Sequence, residues 1–269
     1  MHQRVACKEM IPFVKASACG NDFLIVDGQY AGTTPEELTR RMCDRNNGVG
    51  ADGVEWVYPA DTADADLRIG LINADGSHAE ISGNGTRCVA AWMAIERGTK
   101  VARIETDAGI KVCELTRRDG YVCEFKTGMG QPEVGAEFGL EIGSANIFGV
   151  PVSVGNPHFV RFVDTFEAGW QALAAKIGAH AYFSAGTNVE LVRVIGPHEI
   201  ELRIFERGAG ETLSSGTGTS AAAAAAIYSK RAQSPLKVHA PGGTQEVRWE
   251  SELFLFGPAR VLCSGKFFV

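Results

Sequence analysis

Two stretches of this 269-residue chain share one grammar, 133 positions apart. The first reads Asn73-Ala-Asp-Gly-Ser-His-Ala-Glu-Ile-Ser82-Gly83-Asn84-Gly85-Thr86, the second Glu206-Arg-Gly-Ala-Gly-Glu-Thr-Leu-Ser-Ser215-Gly216-Thr217-Gly218-Thr219. Each sets a polar anchor nine positions ahead of Ser-Gly-x-Gly-Thr, which opens an Ala-rich segment. Internal repeats fix architecture before any local feature does. This one extends upstream. Residues 66–73 and 199–206 both read as short strands feeding the motif. Gly20-Asn21-Asp22-Phe23 matches Gly155-Asn156-Pro157-His158, each followed by an apolar strand. Turns alone recur by chance; three matches in the same order point to duplication.

The length suits two domains of about 130 residues each. The halves are expected at 1–127 and 128–261, with a C-terminal strand over 262–269 joining the first half. Strands are expected at 11–16, 22–27, 54–58, 66–73, 101–107, 110–116 and 121–126, then at 150–154, 158–163, 187–193, 199–206, 236–239, 244–249 and 252–262. Helices are expected over 35–44 (capped by Thr34, with Pro35 in its first turn), 85–97, 167–177 and 217–231. Residues 128–145 are Gly-rich without apolar periodicity and read as the interdomain crossing. Many strands and one central helix per half predict an α+β fold: two pseudo-symmetric domains, each a curved or barrel-like sheet around a helix.

Composition narrows the function. The net charge of −6, with no basic cluster, argues against a nucleic-acid partner. No apolar run reaches the length of a bilayer-spanning helix, and the first residues lack the apolar region of a signal peptide. A cytoplasmic protein without a membrane partner is the expectation. Seven cysteines include no C-x-x-C pair, and no His/Cys cluster has ligand spacing, so no metal is expected. Cys113 and Cys123 could face each other across a hairpin, but free thiols are the expectation for this compartment.

The motifs sit where helices begin. Six consecutive alanines, 221–226, form a helix slim enough for a sheet to enclose. The first turn of such a helix leaves backbone N–H groups unpaired and carries partial positive charge, so it suits a carboxylate or phosphate. Glycines at 83, 85, 216 and 218 permit close approach. Either loop alone reads better as an ordinary cap; the matched pair suggests one site built from two halves. Neither loop is a P-loop or a Rossmann fingerprint, which disfavours a nucleotide. No lysine lies in either motif to form a Schiff base.

These residues resemble the diaminopimelate epimerase family. The resemblance spans nearly the whole chain, through Gly20-Asn21-Asp22-Phe23, Asp44-Arg45, Gly48-Val49-Gly50-Ala51-Asp52-Gly53, Asn73-Ala74-Asp75-Gly76-Ser77, Gly83-Asn84-Gly85-Thr86-Arg87-Cys88, Gly155-Asn156-Pro157-His158, Thr187-Asn188-Val189 and Glu206-Arg207-Gly208 through Gly218. It implies two pseudo-symmetric domains with the site in the cleft between them. It implies no cofactor, a homodimer, and interconversion of LL- and meso-2,6-diaminopimelate in lysine and peptidoglycan precursor synthesis. By motif, Asn21, Asn73, Asn156, Asn188 and Arg207 would bind the substrate's distal end. Gly83-Asn84 and Gly216-Thr217 would hold the α-carboxylate at the reacting centre. His158 and Glu206 would flank the two catalytic positions. Asn offers donors and acceptors to a zwitterion, and Arg pairs with a carboxylate at two points.

One departure stands out. The family carries cysteine at both catalytic positions, where this chain has Ser82 and Ser215. A two-base epimerase removes the α-proton on one face and delivers one on the other. A thiol titrates near 8.5, whereas water titrates near 15.7. A hydroxyl close to water's value therefore stands to cost up to about 10 kcal/mol. Three readings follow: an epimerase working with serines, a chain whose cysteines were replaced, or a scaffold turned to another reaction (an isomerase or dehydratase of a small amino or hydroxy acid) or to binding alone.

Overall fold

A computed structural model describes residues 10–269. The chain forms two compact units, Met1–Phe125 with Pro258–Val269, and Lys126–Gly257. Cys7 and the N-terminal residues used to judge targeting lie outside the described residues.

In the first unit the Met10–Ala18 strand pairs antiparallel with Asn21–Asp27, which runs parallel to Gly53–Tyr58. Gly53–Tyr58 pairs antiparallel with Leu67–Asn73, itself parallel to Val101–Thr106, and Gly109–Asp119 follows antiparallel. The second unit repeats this order. Ala145–Ser153 pairs antiparallel with Pro157–Phe162, which runs parallel to Asn188–Gly196. Asn188–Gly196 pairs antiparallel with Glu199–Glu206, itself parallel to Leu236–Ala240, and Gly243–Trp249 follows antiparallel. The duplicated grammar therefore codes a duplicated topology.

Each sheet encloses one helix and carries a second on its other face. α1 is Pro35–Cys43, α2 Gly83–Glu96, α3 Trp170–Gly178 and α4 Gly216–Tyr228. A helix apolar on every side has to be buried: Ala221 to Ala226 of α4 are all at 0 % exposure, packed on Val150, Val192, Ile204, Val238 and Leu255. α2 packs likewise against Phe23, Ile25, Ile69, Ile104 and Phe125. The Gly53–Tyr58 strand is buried on both sides: Val54 and Trp56 join the cluster around Met42 of α1, whereas Val57 joins that of α2. Side chains alternate along a strand, so Glu55 points with Val57 toward the central helix. Glu190 has the same orientation in the second unit, since Val189 and Leu191 join the α3 cluster and Val192 the α4 cluster.

Three local expectations are corrected. Thr34 precedes α1 but makes no side-chain cap; Pro35, Glu36 and Glu37 favour the first turn without it. Residues 128–145 are no bare crossing, for Phe138–Ile142 pairs with Ala145–Ser153 from Phe138↔Gly149 to Ile142↔Ala145. Phe138, Leu140 and Ile142 alternate with Gly139 and Glu141, and this period-two signal lay beneath the glycines. The last strand, Leu253–Phe268, runs past residue 262 to pair with Met10–Ala18. Cys19, Cys43, Cys88, Cys123 and Cys263 are free.

Candidate active site

In the first unit Ser82 is the N-cap of α2, its hydroxyl accepting the Gly85 N–H at 3.1 Å while Thr86 N–H bonds the Ser82 carbonyl. This leaves the N–H groups of Gly83 and Asn84 ahead of the first helical hydrogen bond, free of any intrahelical acceptor. The Asn84 amide is spent inside the protein: Nδ2 donates to Asn21 Oδ1 at 2.7 Å, and Oδ1 accepts from Arg87 Nη2. Asn21 Nδ2 in turn donates to Asp52 Oδ2 at 3.0 Å. Asp22 sits between Lys15 at 2.9 Å and Arg45 at 2.7 Å. Partial burial raises its acidity threshold, but the two cations outweigh this and hold the carboxyl below its ordinary value. This lattice fixes the turn at Gly20, whose φ of +88° suits glycine. Asn73 donates from Nδ2 to Ser77 Oγ at 3.0 Å.

The second unit builds the equivalent place with different polar groups. Ser215 caps α4: its hydroxyl accepts the Gly218 N–H at 3.3 Å and donates to Glu206 Oε2 at 3.3 Å. The other Glu206 oxygen accepts from the Thr212 hydroxyl at 2.7 Å. Gly216 and Thr217 leave N–H groups ahead of the helix, as Gly83 and Asn84 do. His158 does not touch Ser215. It reaches it through a chain: Nε2 lies 2.9 Å from Asn156 Oδ1, Asn156 Nδ2 donates to Thr217 Oγ1 at 3.5 Å, and that oxygen is 3.3 Å from Ser215 Oγ. On its other side Nδ1 meets Glu190 at 2.7 Å, with the two side chains 1 % and 0 % exposed. Burial pushes the Glu190 carboxyl up, and the imidazole beside it offsets part of that rise. Asn188 commits both amide atoms to backbone, donating to Pro157 O and accepting from Arg207 N–H. The exposed Arg207 guanidinium donates to Ala185 O at 2.7 Å and keeps further donors outward.

Two buried carboxyls escaped the reading of the sequence. Glu190 has His158; Glu55, at 0 % exposure, has no hydrogen-bond partner on either oxygen. The difference is one of register. His158 pairs with Asn188, two residues before Glu190, and Phe23 pairs with Gly53, two residues before Glu55, so a phenyl ring stands where the second unit has imidazole. The signal was present in the repeat, as Val54-Glu55-Trp56-Val57 parallels Val189-Glu190-Leu191-Val192. Among the described residues no group of three His, Cys, Asp or Glu side chains is placed to hold a metal ion.

The sequence model described as "Diaminopimelate epimerase" matches residues 13–134 and 150–262. The chain belongs to the diaminopimelate epimerase family. A diaminopimelate epimerase of Pelotomaculum thermopropionicum is 38 % identical, covering 95 % of this chain and 98 % of its own. That of Heliobacterium modesticaldum is 37 % identical over 92 % and 96 %. Family membership makes the chain an isomerase of the amino-acid epimerase type. Solved structures share the fold at lower identity. A probable proline racemase from Agrobacterium radiobacter K84 aligns with a TM-score of 0.71 at 18 % identity, covering 95 % and 92 % of the two chains. A hydroxyproline epimerase from Agrobacterium vitis gives 0.71 at 17 %, covering 98 % and 94 %. No helix among the described residues is long and apolar enough to cross a membrane.

Proposed function

We propose that the chain interconverts LL- and meso-2,6-diaminopimelate by two-base proton transfer, without a cofactor, in lysine and peptidoglycan precursor synthesis. The observation that carries this reading is the matched pair of helix N-caps: Ser82 and Ser215 occupy equivalent positions, each beside two N–H groups its helix does not use. In this proposal the two halves, 1–127 with 262–269 and 128–261, share one cleft and present the two hydroxyls to opposite faces of one α-carbon.

The α-hydrogen of an amino acid is a weak acid, and its removal moves charge onto the carboxylate. The N–H groups of Gly83, Asn84, Gly216 and Thr217 would bind that carboxylate and gain strength as its charge grows. Ser215 takes the α-proton as it passes its own to Glu206, to which its hydroxyl already donates a hydrogen bond. His158 acts at a distance by holding Asn156 and Thr217. Arg207, with Asn21, Asn73 and Asn156, would take the distal amino-acid end, Asn188 fixing the Arg207 backbone. The reading extends to a cytoplasmic homodimer, which sedimentation would check.

Incubation of the protein with the LL isomer in heavy water tests the catalytic claim. α-Hydrogen exchange by NMR and meso product by chiral chromatography are expected; folded protein that gives neither refutes it. A second reading, a form that binds without turnover, is favoured by the Ser82 hydroxyl, which caps α2 and lacks the carboxylate contact Ser215 has. It predicts calorimetric affinity for diaminopimelate with no exchange, and turnover gained on Ser82→Cys with Ser215→Cys.

A further inference from the structure

Glu55 is a buried ionisable group that the mechanism above leaves unused. It lies beneath the first turn of α2. A Cβ added to Gly85 would overlap Glu55 Oε1 and lie 3.2 Å from Ser82 Cβ, so the carboxyl and the cap serine crowd one point. Gly218 and Glu190 repeat the arrangement under α4, where a Cβ would come within 2.9 Å of Glu190 Oε1. There, however, Glu190 is committed to His158, and Ser215 has Glu206 at the anchor position. The anchor equivalent to Glu206 is Asn73, which cannot accept and release a proton. The first half-site therefore lacks a carboxyl at its anchor and has an uncommitted one behind its helix.

We propose that Glu55 acts through Ser82 as its proton-exchanging partner, doing for that hydroxyl what Glu206 does for Ser215. In one direction the Cα–H bond breaks, its proton forms a new O–H bond on Ser215 Oγ, and the old Ser215 O–H proton passes to Glu206, which already accepts a hydrogen bond from it. The electron pair stays on Cα until Ser82 protonates it from the other face, Ser82 being refilled from the Glu55 carboxylic acid. Neither serine is left as a free alkoxide, which lowers the cost of using a hydroxyl in place of a thiol. The reverse direction returns the proton to Glu55.

Three observations support this. Both Glu55 oxygens are free of hydrogen bonds, so they are available to Ser82. Burial pushes the carboxyl up to about 8, near the range in which a group can both take and give a proton. A protein retains an unpaired buried carboxyl only at a cost, and Val57 and Cys88 on this side belong to an apolar cluster that offers it no charge partner. The ionisable groups sharing this region are Cys88 and Arg87 of α2, with Cys19 and Asp22 beyond; burial first, and the Glu55 charge among them, hold the Cys88 thiol well above its usual value.

This inference rests on the epimerase reading, and its test has one arm independent of turnover. In Ser82→Cys protein, the pH dependence of alkylation at residue 82, followed by peptide mass spectrometry, reports the proton affinity of that position. Glu55 carries like charge when ionised, so adding Glu55→Gln is expected to lower the alkylation midpoint by about one pH unit. A shift below about 0.3 unit overturns the proposal, whether or not the native chain turns over. The second arm measures α-hydrogen exchange in Glu55→Gln with Ser82 native. A loss on the order of 100-fold is expected, with diaminopimelate affinity unchanged and partial recovery in Glu55→Asp. Exchange at the native rate with an unchanged pH profile overturns the proposal. A native chain that shows no exchange refutes the epimerase reading, and the alkylation arm still decides for or against Glu55.

Discussion

Replacing Glu55 by Gln should remove one source of the stability that the native chain loses as pH rises. The carboxyl is fully buried and unpaired, and burial raises it from 4.5 to about 8. Between those values the unfolded chain has ionised this group while the folded chain still holds its proton. The folded state then binds more protons, so stability falls as pH rises through this window. The slope is about 1.4 kcal/mol per pH unit. The native protein should therefore lose about 3 kcal/mol by pH 7, and about 4 kcal/mol by pH 8, relative to its value below pH 4.5. Gln has the same shape and no titration; its buried amide adds a constant offset of about 1–3 kcal/mol. Urea unfolding of both proteins at pH 5, 6, 7 and 8, followed by Trp fluorescence (Trp56 is on the same strand), gives the difference directly. The Gln variant should gain on the native chain at each step. A difference flat to within about 0.5 kcal/mol over that range would mean that Glu55 is ionised or solvated in the fold, and the reasoning would fail.

Further outcomes follow from the two helix starts. Ser82→Ala and Ser215→Ala each remove an N-cap and should cost about 1 kcal/mol by thermal or urea unfolding; both should abolish α-hydrogen exchange, and a variant that exchanges at the native rate would remove that serine from the mechanism. Gly85→Ala should destabilise more than Gly218→Ala, by about 1–3 kcal/mol against a smaller loss, because the first Cβ overlaps the Glu55 carboxyl and the second only crowds that of Glu190. Adding Glu55→Ala to Gly85→Ala should recover part of the first loss, which a double-mutant cycle would read.

Much of the architecture was legible because duplication writes itself twice. The Ser-Gly-x-Gly-Thr loops mark the starts of α2 and α4 to within two residues, and the all-alanine run identifies α4 as the enclosed helix. What escaped was hidden by composition. Glycines at 139, 143 and 149 masked the Phe138–Ile142 strand, although Phe138, Leu140 and Ile142 alternate cleanly. Thr34 has the right residue type for a cap, but its ψ of 62° departs from the extended backbone of a capping residue and its side chain makes no cap hydrogen bond. Glu55 was missed for a different reason. A charged residue inside a Val-Glu-Trp-Val run looks like the solvent face of a strand, and only burial on both sides turns it into a group of chemical interest. Likewise, Asn84 and Asn188 read as ligand-binding amides, yet in the described conformation each spends its amide oxygen and nitrogen on internal partners.

The first unit is discontinuous in the chain, and this sets an order of assembly. Residues 126–257 form an uninterrupted body that can close while synthesis continues, whereas the Met10–Ala18 strand must wait for residues 260–268 to supply its outer neighbour. Until those last residues arrive, an early-made strand exposes an unsatisfied edge, the kind of surface that recruits other chains. Loss of a dozen C-terminal residues would thus act at the opposite end of the sequence, turning a finished sheet into one with an open margin.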